Sequence, residues 1–330
     1  MHIKKLIRLC FLMMGFLLIG QQVGYAQSSY PEKPIKLLVP FPPGGSTDIF
    51  ARMLGNHLTK LWGQPVVIEN KPGASGQIAM DQLLKAPADG YTIYLGNIGS
   101  LAVNVSLFKN LPYDPRKDIE PISQIAIVPN ILAINPNSPF KTIPELLHYA
   151  KSHPGKLTYS SGGNGSAAHT AMEYFKLLTG AEIVHIPYKG TSPALTDVIG
   201  GQVDMIMTGA PPLIPFIKAN KVLALGVSTS KRIEAVPTII SISESGVPEL
   251  KKFDISQWYG LVVKKGTSKD IITKLNAGVR STFATEQAKE TIKNEGAIVK
   301  VSSPDEFGSF IASEIDRWAK VIKAAGIKPD

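Results

Sequence analysis

The sequence predicts an α/β protein built as two lobes, each a mixed and mostly parallel sheet flanked by helices. Three observations predict it. Short apolar strands alternate with amphipathic helical stretches, the pattern of βαβ units. Four strand-to-helix junctions are rich in glycine. Once an N-terminal leader is set aside, 304 of the 330 residues remain, more than one core usually serves.

The leader occupies residues 1–26. Lys4, Lys5 and Arg8 form a basic start, Leu9 to Gly20 an apolar core, and Gly24-Tyr25-Ala26 an end with small outer residues. This is the pattern of a secretory signal peptide cut after Ala26; the competing reading is a retained membrane anchor. No other stretch approaches the ~20 apolar residues that a transmembrane helix needs. The only cysteine, Cys10, lies in the leader, so the expected mature chain has no disulfide, thiolate nucleophile or cysteine-based metal site. An exported, soluble, cysteine-free chain suggests a bacterial periplasm. The net charge of +9 falls to +6 without the leader. The lysines are scattered over helix faces, which argues against nucleic acid and suits an anionic ligand.

Ile35 to Val39 reads as a buried strand bounded by prolines. The loop Pro40-Phe41-Pro42-Pro43-Gly44-Gly45 follows, then a helix over 47–60 that Ser46 or Thr47 can cap. Its apolar positions run from Ile49, Phe50, Met53, Leu54, His57 and Leu58 to Leu61. Gly44 and Gly45 let the backbone turn with positive φ and bring bare N–H groups close to a ligand, and the helix N-terminus behind them favours an anion. A second strand at 64–70, a turn at 71–76 and a helix at 77–85 come next. The third strand, 91–95, ends in the elbow Gly96-Asn97-Ile98-Gly99-Ser100. Residues 122–135 are extended and apolar and suit a crossing between lobes. Thr142 caps a helix to Lys151. A strand at 156–161, the elbow Gly162-Gly163-Asn164-Gly165 and a helix at 166–178 follow. A strand at 183–186 leads to Pro187–Pro193 and a helix ending at Gly200-Gly201. Strands at 203–207 and 222–227 flank a helix at 212–219. Residues 228–256 hold no clear helix and are expected to return to the first lobe. The chain finishes with a strand at 259–263 and amphipathic helices at 269–285 and 304–325.

Four strand–loop–helix units, at 43–47, 96–100, 162–166 and 189–192, aim N–H donors at their loops. Split between two lobes, they read as a carboxylate-binding cleft. Each neutral N–H to carboxylate bond contributes about 1.5–3 kcal/mol when desolvated. Enzyme signatures fit poorly. The phosphate-loop Gly-Lys-Ser/Thr ending, the G-x-G-x-x-G fingerprint and the G-x-S-x-G elbow are all missing. His169 and Glu173 stand at a zinc-like i, i+4 spacing without the H-E-x-x-H signature, so no metal or other cofactor is expected. His169 reads as a polar residue fixing its loop, and His185 as a core or lobe-face histidine. Asp197 and Asp204 are structural acceptors or contacts to a ligand's amino or hydroxyl group. Trp258 and Tyr259 either wall the cleft or pack in the core, and Thr208 is a candidate hydroxyl contact.

The stretch from Tyr30-Pro31-Glu32-Lys33-Pro34-Ile35 into Val39-Pro40-Phe41-Pro42-Pro43-Gly44-Gly45-Ser46-Thr47-Asp48 resembles the start of mature Bug/TctC proteins. These are the substrate-binding components of tripartite tricarboxylate transporters. Glu69–Gly76, Pro87–Thr92, Leu111–Pro115, Tyr159–Ser166 through His169, Pro187–Gly190 and Ala194–Gly201 continue the match over nearly all the mature chain. The resemblance implies a periplasmic binding protein of the type II, flytrap kind that closes on a small carboxylate, with no enzymatic chemistry. The ligand would be a mono- or dicarboxylate, aromatic ones included. Lobe 1 is expected at 27–125 and 253–330, and lobe 2 at 126–252.

The expected ligand-binding residues form three loop groups. The first is Phe41, Pro43, Gly44, Gly45, Ser46, Thr47 and Asp48. The second is Ser161, Gly163, Asn164, Gly165, Ser166 and His169. The third is Tyr188, Lys189, Gly190 and Thr191, and Thr208 joins them. The chain departs from the family pattern at Leu101, where many relatives carry Thr or His, which bears on the polarity of one cleft wall. A monomer is expected, with two inner-membrane transporter subunits as partners. The rival readings are a binding protein that delivers its ligand to a receptor kinase, and a hydrolase or transferase using His169 with Asp197 or Asp204.

Overall fold

A computed structural model describes residues 30–294 and 296–326; the expected leader and Cys10 lie outside the described residues. The fold is a curled mixed sheet threaded by one long strand. β1 (Ile35–Val39) pairs in parallel with β2 (Val66–Asn70) and β3 (Thr92–Asn97). Ile35, Leu37, Leu38 and Val39 are fully buried, as the proline-bounded apolar run predicts.

Between β1 and β2 runs α1 (Ser46–Trp62), which buries Phe50, Ala51, Leu54 and Leu58 and ends at Gly63 in the left-handed conformation. Its cap differs from the expectation. Gly45 holds the N-cap position and no side chain caps the helix, so Ser46 and Thr47 are the first helical residues. Leu61 is 47% exposed and lies off the packed stripe. α2 (Gln77–Lys85) links β2 to β3. β3 runs two residues further than its apolar pattern suggests, because Gly96 and Asn97 pair with Gly260 and Tyr259 of a later strand. A wide helical turn, Gly99–Val103, follows.

β4 (Ile119–Ile134) spans both halves of the sheet. Its first part pairs antiparallel with a later strand at Ser256–Lys264, and its last part with strands at Met205–Gly209 and Leu223–Val227. The second half contains α3 (Ile143–Ser152), β5 (Thr158–Ser161), α4 (Ala167–Thr179), β6 (Val184–Pro187), α5 (Thr191–Ile199), β7 (Met205–Gly209), α6 (Ala210–Lys218) and β8 (Leu223–Val227). β5 pairs in parallel with both β6 and β7. Residues 228–255 carry only two short turns, Ile242–Glu244 and Pro248–Leu250, before β9 (Ser256–Lys264) re-enters the first half beside β3 and β4.

α7 (Lys269–Ala284) is followed by α8 (Glu286–Asn294), a helix the sequence did not predict, and by the two-residue strand β10 (Ile298–Val299). α8 buries only Ala288 and Ile292, too narrow a stripe for apolar periodicity to reveal. α9 (Pro304–Ala325) starts at a Ser303–Glu306 capping box and buries Phe307, Ile311, Ile315, Trp318 and Ile322. From Lys33 onward the chain packs as one unit. The lobe boundaries expected at 125/126 and 252/253 fall inside β4 and just ahead of β9.

Candidate ligand cleft

The first loop is organised from beneath by Asp48. Its carboxylate accepts hydrogen bonds from the Gly44 N–H at 3.1 Å, Arg52 Nε at 2.9 Å and Asn70 Nδ2 at 3.0 Å. Asn70 also donates to the Phe41 carbonyl at 2.9 Å. Burial opposes ionisation of Asp48, but the Arg52 guanidinium, the Asn70 amide and the Gly44 N–H together hold its carboxyl below the usual range. Gly44 has φ +88°, a conformation that strains other residues. Asp48 therefore shapes the loop and borders neither of the seam cavities described below.

The second loop, 161–166, is pinned at both ends by histidines. His185 Nε2 and Ser161 Oγ share a hydrogen bond at 2.7 Å, and that hydroxyl accepts the Gly163 N–H at 3.1 Å. Gly165 N–H donates to His169 Nδ1 at 3.1 Å. Ser166 caps α4 by accepting the His169 N–H at 3.3 Å. Glu173, four residues past His169, accepts from the Tyr159 hydroxyl and from Lys176, each at 2.6 Å. Asp204 accepts the N–H and hydroxyl of Thr158, which makes it the structural acceptor of the two readings offered for it.

In the third loop, Tyr188 donates its hydroxyl to Asp197 on α5. Burial and this carboxylate raise the Tyr188 pKa to about 12. Gly190 has φ +143°, and a Cβ there would stand 2.5 Å from Pro42 Cδ in the first loop. Ser192 Oγ donates to the Pro43 carbonyl at 2.9 Å, and Ser75 Oγ donates to the Asn164 carbonyl. The loops of the two halves thus touch along a seam.

Two cavities lie on this seam. The inner one, about 20 Å³, is bordered from the first half by Phe41, Gly45, Ser46, Thr47, Asn97, Gln257 and Tyr259. Gly162, Ser166, Ala167, Ala168, Thr191 and Thr208 border it from the second half. The starts of α1, α4 and α5 meet here, with the end of β7 just ahead of α6. The first N–H groups of a helix have no intrahelical acceptor. No charged side chain lines this cavity. The outer cavity, about 260 Å³, shares Phe41 and Gly162 with the inner one and adds Gly163, Asn164, Tyr188 and Lys189.

Of the expected site residues, Phe41, Gly45, Ser46, Thr47, Ser166, Thr191 and Thr208 border the inner cavity. Gly163, Asn164, Tyr188 and Lys189 border the outer one. Pro43, Gly44, Asp48, Ser161, Gly165, His169 and Gly190 border neither; they shape the loops or the seam. Asn97 and Gln257 were missed. Each is a polar residue in a strand of otherwise apolar character, and that contrast is the signal in the sequence. Tyr259 walls the inner cavity, whereas its neighbour Trp258 points to the opposite face and donates to Glu314 at 2.8 Å. Burial holds the Tyr259 hydroxyl well above its ordinary pKa, and it donates to Gln257 Oε1 at 2.5 Å. Gln257 Nε2 donates to Asn130 Oδ1 at 2.6 Å. Leu101 is fully buried against Gly96 and borders neither cavity.

Residues 50–327 match the model of the tripartite tricarboxylate transporter family receptor, TctC. The chain is 38% identical over 301 residues to Protein BugT of Bordetella pertussis, covering 91% of each chain. Among solved structures, an adipate-bound protein of R. palustris superposes with a TM-score of 0.88 at 35% identity, over 91% of this chain and 100% of that one. MatC of Rhodopseudomonas palustris, with bound malate, superposes at 0.84 with 30% identity, over 89% of this chain and 100% of that one. The family consists of solute-binding proteins and not enzymes. By this match over residues 50–327 and by the 38% identity to a relative covered over 91% of its length, the chain belongs to the TctC family of tripartite tricarboxylate transporter receptors.

Proposed function

We propose that this protein captures a small carboxylate in the periplasm, between two lobes, and delivers it to the membrane subunits of a tripartite transporter. The observation that carries this reading is the convergence of helix starts from both sheet halves on one cavity without a charged lining residue. Main-chain N–H groups, helix dipoles and the neutral hydroxyl and amide side chains of the lining are the donors available to meet an anion there. Neutral donors suit a ligand that must also be released, because no buried ion pair has to be broken. Adipate and malate in two relatives support the same ligand class.

A volume of about 20 Å³ is close to what one water needs. A dicarboxylate therefore enters only when the seam parts, and the lobes then close on it. The division into 27–125 with 253–330 and 126–252 is part of this proposal. The test is a thermal-shift screen of the mature protein against linear, hydroxy- and aromatic mono- and dicarboxylates. A ligand at 100 times its Kd adds about 2.7 kcal/mol of stability. The expected result is a concentration-dependent rise for carboxylates and none for their amides. Equal rises for acids and amides would refute the reading.

A further inference from the structure

We infer that His169 and His185 are positioning residues of the ligand loop, and that only the neutral form of His169 holds the Gly165 N–H in place, so that capture weakens on acidification. The inference rests on the carboxylate-capture reading for its ligand and on local geometry for its mechanism.

His169 is buried at 4% exposure, and its Nδ1 accepts the Gly165 N–H. The ring therefore carries its proton on Nε2. His185 holds the other end of the loop through Ser161, which in turn holds Gly163. The two imidazoles stack on one another with centroids 4.4 Å apart and planes 23° from parallel, and Tyr159 stacks on the far face of His185 at 4.7 Å. The same loop ends at Ser166, Ala167 and Ala168, which border the inner cavity.

A proton taken from solvent onto His169 Nδ1 converts the acceptor into a donor. It then faces the Gly165 N–H, donor against donor, in a buried place. The charge also lies flat against a second imidazole. The other titratable groups nearby do little to offset it. Glu173 is engaged by Tyr159 and Lys176, and Glu249, at the turn packed on α4, is exposed. Relief comes from displacement of the 161–166 loop, which takes the start of α4 away from the first-half loop.

This sign is opposite to that of a cationic contact. A histidine touching an anionic ligand would bind it more tightly in acid; a histidine that shapes the donor loop binds it less tightly.

The test follows the 15N-labelled mature protein by NMR between about pH 8 and pH 6, where ordinary carboxylates stay ionised and an imidazole titrates. The Gly165 amide is expected to shift with the same midpoint as the His169 ring. Calorimetry with adipate and with malate is expected to show affinity falling about tenfold over this range. His169→Gln keeps an oxygen acceptor but cannot titrate, so its affinity should be flat with pH. His57→Gln, which alters a histidine bonded to Ser281 outside the cleft, should keep the wild-type slope.

A Gly165 amide that ignores the His169 titration would overturn the inference. So would affinity that rises in acid, or a wild-type slope in His169→Gln. If neither acid binds at any pH, the carboxylate reading fails, and the Gly165 titration still decides this one.

Discussion

Gly190 shows how one atom sets the distance between the first and third loops across the seam. A Cβ at this position would lie 2.5 Å from Pro42 Cδ across the seam. Gly190→Ala should therefore weaken carboxylate binding at least about tenfold, roughly 1.4 kcal/mol, by calorimetry. The strain of φ +143° should cost the unliganded protein about 1–3 kcal/mol in a denaturant melt. Asp48 acts beneath the opposing loop. Its carboxyl is held below the usual range, so its stabilisation is complete above about pH 4 and is lost as pH falls through the lowered folded value. Asp48→Asn should lower Tm at pH 7, and its gap from the wild type should close toward pH 3. At this scale the sequence was legible at Gly44, whose positive φ needs a glycine, but not at Gly45, which was expected to share that conformation and instead holds φ −86° as the N-cap of α1. It was opaque where a side chain's direction decides its role. Asp48 carries the right chemistry for a ligand, yet spends it on the Gly44 N–H, Arg52 and Asn70, and nothing local in the sequence distinguishes the two uses; His169 fixes its loop, as its sequence reading has it.

At the scale of elements, α9 is clamped to β9 by a polar bond inside an apolar contact. Glu314 is buried and accepts from both Trp258 Nε1 and Trp318 Nε1, at 2.8 and 3.3 Å. Glu314→Ala leaves two buried indole N–H groups unsatisfied. At about 1–3 kcal/mol for each such group, a loss of 2 kcal/mol or more is expected, readable as a fall in denaturation midpoint at unchanged m-value. Strands and helices with a full apolar stripe, such as β1, α4 and α9, could be read from the chain because burial imposes period on sequence. α8 and the last two residues of β3 could not. The former has too few buried positions, and the latter owe their strand conformation to pairing with β9, 163 residues or so away in the chain.

Across the whole molecule, the starts of helices from both sheet halves share one cavity, and the proposed capture requires a closing motion to assemble it around a ligand. Small-angle scattering should show a smaller radius of gyration with saturating carboxylate than without. A Gly190→Ala protein given the same acid should stay nearer the unliganded value. The alternation of strands and helices announced the mixed α/β sheet, and the glycine corners at 44–45, 162–163 and 190 lie where loops of its two halves touch. The crossing was legible only as an apolar extended stretch, since the pairing of β4 with β7, β8 and β9 is a long-range fact.

That crossing gives the molecule its mechanical character. β4 passes from one half-sheet to the other without leaving the hydrogen-bonded ladder, and Asn130, on the path, donates its N–H to Ser228 and receives Gln257. A pivot made of paired strands bends as a leaf spring and does not swivel like a loose tether. Its amides at 130–134 should be among the slowest in the chain to exchange with deuterium, in the apo protein and the complex alike. If the protein captures and releases ligand as proposed, reopening would draw on elastic recoil, and release would not require any part of the backbone to melt.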